Sequence, residues 1–421
     1  MLGPAITLAQ AFQYFDPDMP LTGEWFEAFH VPRPDEQRLQ DLQEHLTLAR
    51  EDEYTKVLFT GPRGSGKTTE LQYLAQKMQD THFVVFVQGE DLFSLGDVAY
   101  QDVLVSLGLA LYEAVGREKR LASRLQEAAD ALRYWWEQRI VEELAESERQ
   151  AASFGLHLGV MQFGYQWQSS PTFRTTIRRQ VESRLSELLE KLNHLLGALR
   201  EVTGKRLLLL VDGLDKIYDL SQARDLFLNP ALLQPSAQIV YTLPLALIHQ
   251  PDFQQARLSY DLAVVLPNIA VRTREGKPWP PGQEMLTQVL YRRMEATLLT
   301  EEAATYLSEM SGGVLRELML LTRTSILRAR REHGDQGPVA YAHVQAAVEE
   351  VKNTFRRTLT WQDYPALRRL RETKDLQSLD PTVASRLLHG MAILEYNGQN
   401  WWDVHPIVGL LLDTADDESR R

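Results

Sequence analysis

The chain has 421 residues, no cysteine and a formal charge of −12. Without cysteine there is no disulfide, no thiolate metal site and no cysteine nucleophile, and a chain without such staples is expected to be cytoplasmic. Its length supports roughly two to four domains, no apolar run is long enough for a membrane span, and the opening residues lack the basic segment of a signal peptide.

The net charge argues against a general nucleic-acid coat. It is unevenly spread: residues 1–60 carry eleven acids against four bases, and residues 320–390 carry twelve bases against eight acids. The C-terminal excess suits DNA or an acidic protein partner, and equally an ordinary solvated surface. The ten histidines are scattered without ligand spacing.

Residues 1–50 begin acidic and aromatic-rich and then turn helical, with Leu39, Leu42 and Leu46 on one face. Pro32 and Pro34 bar a helix just before that. Val57–Thr60 reads as a buried strand. It runs into Gly61, Pro62, Arg63, Gly64, Ser65, Gly66, Lys67 and Thr68, a complete G-x-x-x-x-G-K-[ST] phosphate loop, after which Thr69–Met78 is helical. The glycines admit a phosphate to the backbone N–H groups, and the helix adds its unpaired N-terminal donors. Lys67 is expected on the β- and γ-phosphates of a bound ATP and Thr68 on Mg²⁺.

Further on, Phe83–Val87 is a strand covered on both faces, and residues 95–115 are helical by spacing. A charged helical segment over 117–150 contains Tyr134, Trp135 and Trp136. The alternation over 154–167, ending in Phe163, Tyr165 and Trp167, predicts a hairpin inserted in the core. Its aromatics either meet a partner or pack on the tryptophan pair. Residues 173–200 read as one strong helix. Leu207–Val211 is a buried strand ending in Asp212-Gly213-Leu214-Asp215, and Gln238–Thr242 is another. Strand, crossover helix, strand is the rhythm of a parallel α/β sheet with its ligand at the carboxyl ends.

Beyond Pro267 the texture changes. Residues 274–282 form a proline- and glycine-rich boundary, followed by helices near 283–297, 301–309, 314–332, 338–358, 364–371 and 381–388. Ala392–Tyr396, Asn397-Gly398 and Trp401–Val404 then read as a hairpin, so that helices followed by a hairpin predict a winged-helix module.

Asp212 emerges from a strand of four leucines and a valine, and is placed to bind Mg²⁺. Gly213 stands where a glutamate base often follows, which leaves Asp215 as the nearest acid to orient water and predicts slow hydrolysis. Thr242 either reads the γ-phosphate or attacking water, or caps the turn into Pro244. Arg316, one turn into a helix opened by Ser311-Gly312-Gly313, either approaches the phosphates or is solvated.

These residues resemble AAA+ ATPases of the origin-recognition-like branch and the related STAND signalling ATPases, over residues 26–412. The resemblance implies a three-layer α/β phosphate-loop core over 51–275 with an insertion near 117–170. It adds an N-terminal segment over 1–50, a helical lid over 276–348 and a winged-helix-like domain over 349–421. Val31-Pro32-Arg33 resembles the box beside the adenine, Thr242 occupies the first sensor position and Gly312–Arg316 the second. Asp212-Gly213-Leu214-Asp215 is similar to the signalling form, where Asp215 is the catalytic acid. No arginine finger is assigned among Arg257, Arg292 and Arg293. The implied function is an ATP-dependent regulatory switch acting on a protein partner, as in bacterial defence or stress systems, or on itself by self-assembly. The alternative is a DNA-associated, initiator-like or transposition-regulator-like ATPase. The helix at 381–388 carries one base, Arg386, few for reading DNA.

Lys67→Ala is expected to leave the fold intact and to weaken ATP binding by roughly 1.5–3 kcal/mol for each charged hydrogen bond lost. Calorimetric titration checks this, and unchanged affinity in a folded variant removes Lys67 from the phosphates.

Overall fold

A computed structural model describes residues 2–19, 21–89, 96–117, 119–136, 170–250, 253–396 and 401–419. The hairpin expected at 154–167 and the Asn397-Gly398 turn lie outside these residues. By contacts the chain divides into two compact units. One comprises Met1–Leu39, Gly61–Gln72 and Leu266–Arg421, the other Gln40–Thr60 and Tyr73–Val265.

The second unit holds a five-stranded sheet in which every pairing is parallel. Its strands are β1 (Lys56–Thr60), β2 (His82–Gln88), β3 (Arg206–Asp212), β4 (Gln238–Thr242) and β5 (Leu262–Val265), in the order β2-β3-β4-β1-β5. β1, β3 and β4 carry almost unbroken apolar runs because helices cover both faces. The core gathers Leu207, Leu209 and Val211 with Leu104, Leu107 and Leu111 of the helix Tyr100–Arg117 and Leu188, Leu192 and Leu196 of the helix Leu185–Thr203. Four-residue β5 is an element the sequence did not announce.

The helix expected over 173–200 is in fact two, Pro171–Ser183 and Leu185–Thr203, broken at Arg184. The first is tied to the helix Tyr100–Arg117 by Arg178, which bonds both Asp97 and the buried Asp102. At the amino ends of the strands the Lys56 ammonium is buried on the carbonyls of Tyr54 and Ala237, and desolvation lowers its pKa to about 8.

The first unit is built on helices. Pro280–Arg293, Glu301–Met310, Leu315–His333 and Tyr341–Thr358 share a core with the N-terminal helix Leu8–Tyr14, through Leu8, Ala11, Leu286, Leu290, Leu307, Leu318 and Leu321. A second core joins Asp363–Thr373, Pro381–His389 and an antiparallel pair, β6 (Ile393–Tyr396) and β7 (Trp401–Val404), with a closing helix Pro406–Ser419. That last helix was not expected from the sequence. No helix among the described residues is long and apolar enough to cross a membrane.

Candidate nucleotide site

In the first unit the phosphate loop, Gly61–Gly66, opens the helix Lys67–Met78. Gly64 and Gly66 take φ of 80° and 95°, conformations that cost a residue with a Cβ but not glycine. Their open faces are occupied: a Cβ on Gly64 would lie 2.7 Å from the Arg316 Cβ, and one on Gly66 3.0 Å from Leu315. Gly61 likewise abuts the Leu266 carbonyl oxygen, 2.1 Å from an ideal Cβ. The Arg316 N–H donates to the Gly64 carbonyl at 3.2 Å. The loop and the first turn of the helix Leu315–His333 are therefore packed backbone to backbone.

The Lys67 ammonium, buried, donates to the carbonyls of Gly61 and Pro62 at 2.9 Å each. Ser65 is 1% exposed and its hydroxyl has no hydrogen-bond partner among the described residues. A buried polar atom left unpaired is unusual and costly, and inside a loop of this form an anion satisfies it. Thr68 and Thr69 are half-buried in the first helical turn, and Arg63 is exposed.

Arg33 differs from the expectation that it meets the nucleotide. Its guanidinium is 3% exposed and donates to the Ser65 carbonyl at 2.9 Å, the Pro267 carbonyl at 2.7 Å and the Asp35 carboxylate at 2.9 Å. It holds the loop in place. Val31 is buried in the helical core. Arg292 and Arg293 brace the backbone just before Val31, donating to the carbonyls of His30 and Phe29. Burial lowers the Arg293 pKa to about 10. Both arginines thus have work within their own chain. The Arg316 guanidinium also points elsewhere than expected, to the Pro17 carbonyl and the Asp18 carboxylate. Its neighbour Glu317 is buried, and desolvation raises its pKa to about 7.

In the second unit, the sheet order sets β4 between β1 and β3. The register pairs Phe59 with Thr242 and Val211 with Tyr241, so Thr60, Thr242 and Asp212 end neighbouring strands at one edge. Asp212 is buried at its strand end. Gly213, at φ 93°, turns the chain into a short 3-10 helix, Leu214–Lys216, which carries half-buried Asp215. Thr242 is fully buried. Its hydroxyl donates to the Val211 carbonyl at 3.2 Å and accepts from the Leu214 N–H at 3.1 Å. These two bonds reach across the sheet, and neither runs to the turn into Pro244. They fix the turn that carries Asp212 and Asp215.

Among the described residues one group of His and acidic side chains has metal-like spacing, Glu332, His333 and His343. His343 Nδ1 accepts the Ala340 N–H at 2.9 Å, which puts the ring proton on Nε2, facing Glu332 Oε2 at 2.9 Å. Neither nitrogen is left with a lone pair for a metal. The group is a helix cap.

The sequence reading missed Asp35, Leu266–Pro267 and Asp18. Asp35 was signalled by its place two residues after Arg33; the others carry no local signal.

Residues 36–243 match the AAA ATPase domain family. No significant relative is found among curated proteins. Among solved structures, Cdc6p from Pyrobaculum aerophilum is 12% identical over 99% of this chain and 100% of its own, with a TM-score of 0.42. A Walker-type ATPase of Pyrococcus abyssi is 15% identical over 95% and 99%, at 0.44. The Aeropyrum pernix Orc1 protein in complex with DNA is 13% identical over 97% of each chain, at 0.47.

Thr242→Val keeps the shape of the side chain but strands the Leu214 N–H, and is expected to cost about 1–3 kcal/mol. Thr242→Ser restores it. Chemical denaturation reads the difference, and a Val variant as stable as the native protein would show that the two bonds do not hold the turn. With its phosphate loop, the acid-ended strand β3 and a matched AAA ATPase domain over residues 36–243, the chain carries an AAA+-type phosphate-loop fold and is an ATP-hydrolysing enzyme.

Proposed function

We propose that this ATPase is a nucleotide-dependent switch whose C-terminal helices and β6–β7 pair form a winged-helix-like module acting on DNA. The observation that carries the switch is a continuous path of bonds within the first unit. Gly64 of the loop accepts from the Arg316 N–H, and Gly312, one turn earlier, accepts the Tyr396 hydroxyl of β6 at 2.8 Å. Val314, Leu394, Tyr396 and Trp401 pack together around that bond. A change at the loop is in this way felt at the hairpin.

At the loop, the Lys67 ammonium and the Ser65 hydroxyl bind the phosphates. Arg316 senses the terminal one. Thr68 in the first unit offers a hydroxyl and Asp212 in the second a carboxylate, each a hard oxygen donor of the kind Mg²⁺ takes, and that ion would neutralise phosphate charge. Asp215 orients the attacking water, and with no acid at position 213 hydrolysis is slow.

The DNA output rests on the surface of the C-terminal module. Arg356, Arg357 and Arg369 are exposed and pair with no carboxylate among the described residues, and Trp361 between them is 80% exposed. Cations of this kind contact phosphates and carry no sequence information. The second reading, a protein partner in a defence or stress system, is favoured by Arg386. This one arginine or lysine of the helix Pro381–His389 is half-exposed and already paired with the buried Asp363.

Duplex binding is expected to be weak, non-specific and steeply salt-dependent, with a log–log slope of roughly 0.9 per neutralised phosphate. A salt-series anisotropy titration with ATP and with ADP measures it. Replacing Arg356, Arg357 and Arg369 together by Ala should flatten the slope by about 3. No binding in either nucleotide state at low salt would sink the DNA output and leave the protein-partner reading.

A further inference from the structure

The N-terminal segment carries a contact that the nucleotide reading does not use. Ala5 is fixed by backbone bonds to Arg293 and Glu295, the helix Leu8–Tyr14 is capped by Thr7, and Leu8, Ala11 and Phe15 are completely buried. The chain thus leaves this helix from a rigid base. Asp16 then accepts the Asp18 N–H at 3.1 Å, a local turn that, with Pro17 fixing its own φ, presents two carboxylates side by side.

These carboxylates meet the helix Leu315–His333. Arg316 and Arg323 are seven residues apart, two turns on one helix face. Arg323 pairs with Asp16 at 3.2 Å and lies over the Phe12 ring at 4.0 Å. Arg316 pairs with Asp18 at 2.7 Å and donates to the Pro17 carbonyl at 3.3 Å. The second pair is the informative one. The Arg316 backbone is bonded to Gly64 and its Cβ and Cδ lie against the phosphate loop, yet its guanidinium is engaged by Pro17 and Asp18.

We propose that Asp18 is a positioning residue that competes with the terminal phosphate of ATP for Arg316, and so sets how strongly the protein discriminates ATP from ADP. This rests on the reading of Arg316 as the residue that senses that phosphate. The competition is uneven by design of charge and exposure. The Asp18 side chain is 74% exposed and that of Arg316 34%, so their pair is solvent-screened and worth little. A terminal phosphate brings more charge and more acceptor oxygens to the same guanidinium. Rotation of the Arg316 side chain, with no movement of its backbone, exchanges one partner for the other. ADP lacks the competing group and leaves the Asp18 contact in place.

The test uses the full chain and calorimetric titration with a non-hydrolysable ATP analogue and with ADP. Asp18→Asn is expected to raise affinity for the analogue about two- to fivefold, the scale of an exposed ion pair, and to leave ADP affinity unchanged. Asp18→Glu keeps the carboxylate and should restore native discrimination. Arg316→Ala should lower the preference for the analogue, and Asp18→Asn should add nothing in that background. If Arg316→Ala changes the preference and Asp18→Asn does not, Asp18 has no such role and the Arg316 reading stands. If Asp18→Asn moves both nucleotides equally, the residue acts on the loop generally and the competition is wrong. If Arg316→Ala leaves the preference unchanged, the sensing role fails and the Asp18 role with it.

Discussion

The phosphate loop lies with its glycine faces closely covered, Gly61 by the Leu266 backbone and Gly64 and Gly66 by the side chains of Val314, Leu315 and Arg316, and most of the first unit follows from that. A Cβ at Gly61 would lie 2.1 Å from the Leu266 carbonyl oxygen, and one at Gly64 2.7 Å from Arg316. These glycines are needed twice, once so that an anion can approach the N–H groups and once so that the lid segment can. Arg33 secures the arrangement. Two buried carbonyls, on Ser65 and Pro267, and the half-buried Asp35 carboxylate take its donors. Leaving such a guanidinium buried without partners would cost several kcal/mol, so the loop, the segment after β5 and the Arg33 box form together or not at all.

In the other unit the corresponding constraint is the order of strands. Placing β4 between β1 and β3 brings Thr242 level with the end of Asp212's strand, and the threonine hydroxyl bonds to both sides of the Asp212 turn. Asp215 owes its position to that turn, since Gly213 alone would allow many. The geometry of the acids is therefore set by a neighbouring strand and not by their own sequence.

This separates what the sequence could disclose from what it could not. The phosphate loop, strands β1 to β4 and the helices between Pro280 and His389 were legible because each is a local pattern: glycine spacing, an apolar run, a helical period. β5 was not, being four residues long with only one of them buried. The break at Arg184 has no proline or glycine to mark it. Side-chain partners were the least legible. Arg33 reaches acceptors 32 and 234 residues away, and Arg316 meets an acid 298 residues away. Motif position made both look like nucleotide contacts, and only the folded chain supplies the competing partners. The bonds of Thr242 across the sheet were equally hidden, since they join residues 28 and 31 apart, on a neighbouring strand and the turn that follows it.

The charges are also sorted by burial in a way that bears on motion. Arg33–Asp35 and Arg178–Asp102 are ion pairs with little exposure, tied further into backbone, and breaking such pairs costs about 3–5 kcal/mol. They lie where the structure must stay fixed: under the phosphate loop, and between the helices Tyr100–Arg117 and Pro171–Ser183. Arg316–Asp18 and Arg323–Asp16 are solvent-facing pairs, of a class worth about 0.2–1 kcal/mol. They lie on the lid helix. A contact of that strength holds a side chain in one of two places without preventing it from taking the other. Two of the N-terminal acids that make the sequence's charge uneven, Asp16 and Asp18, are thus in the fold the solvent-facing partners of Arg323 and Arg316.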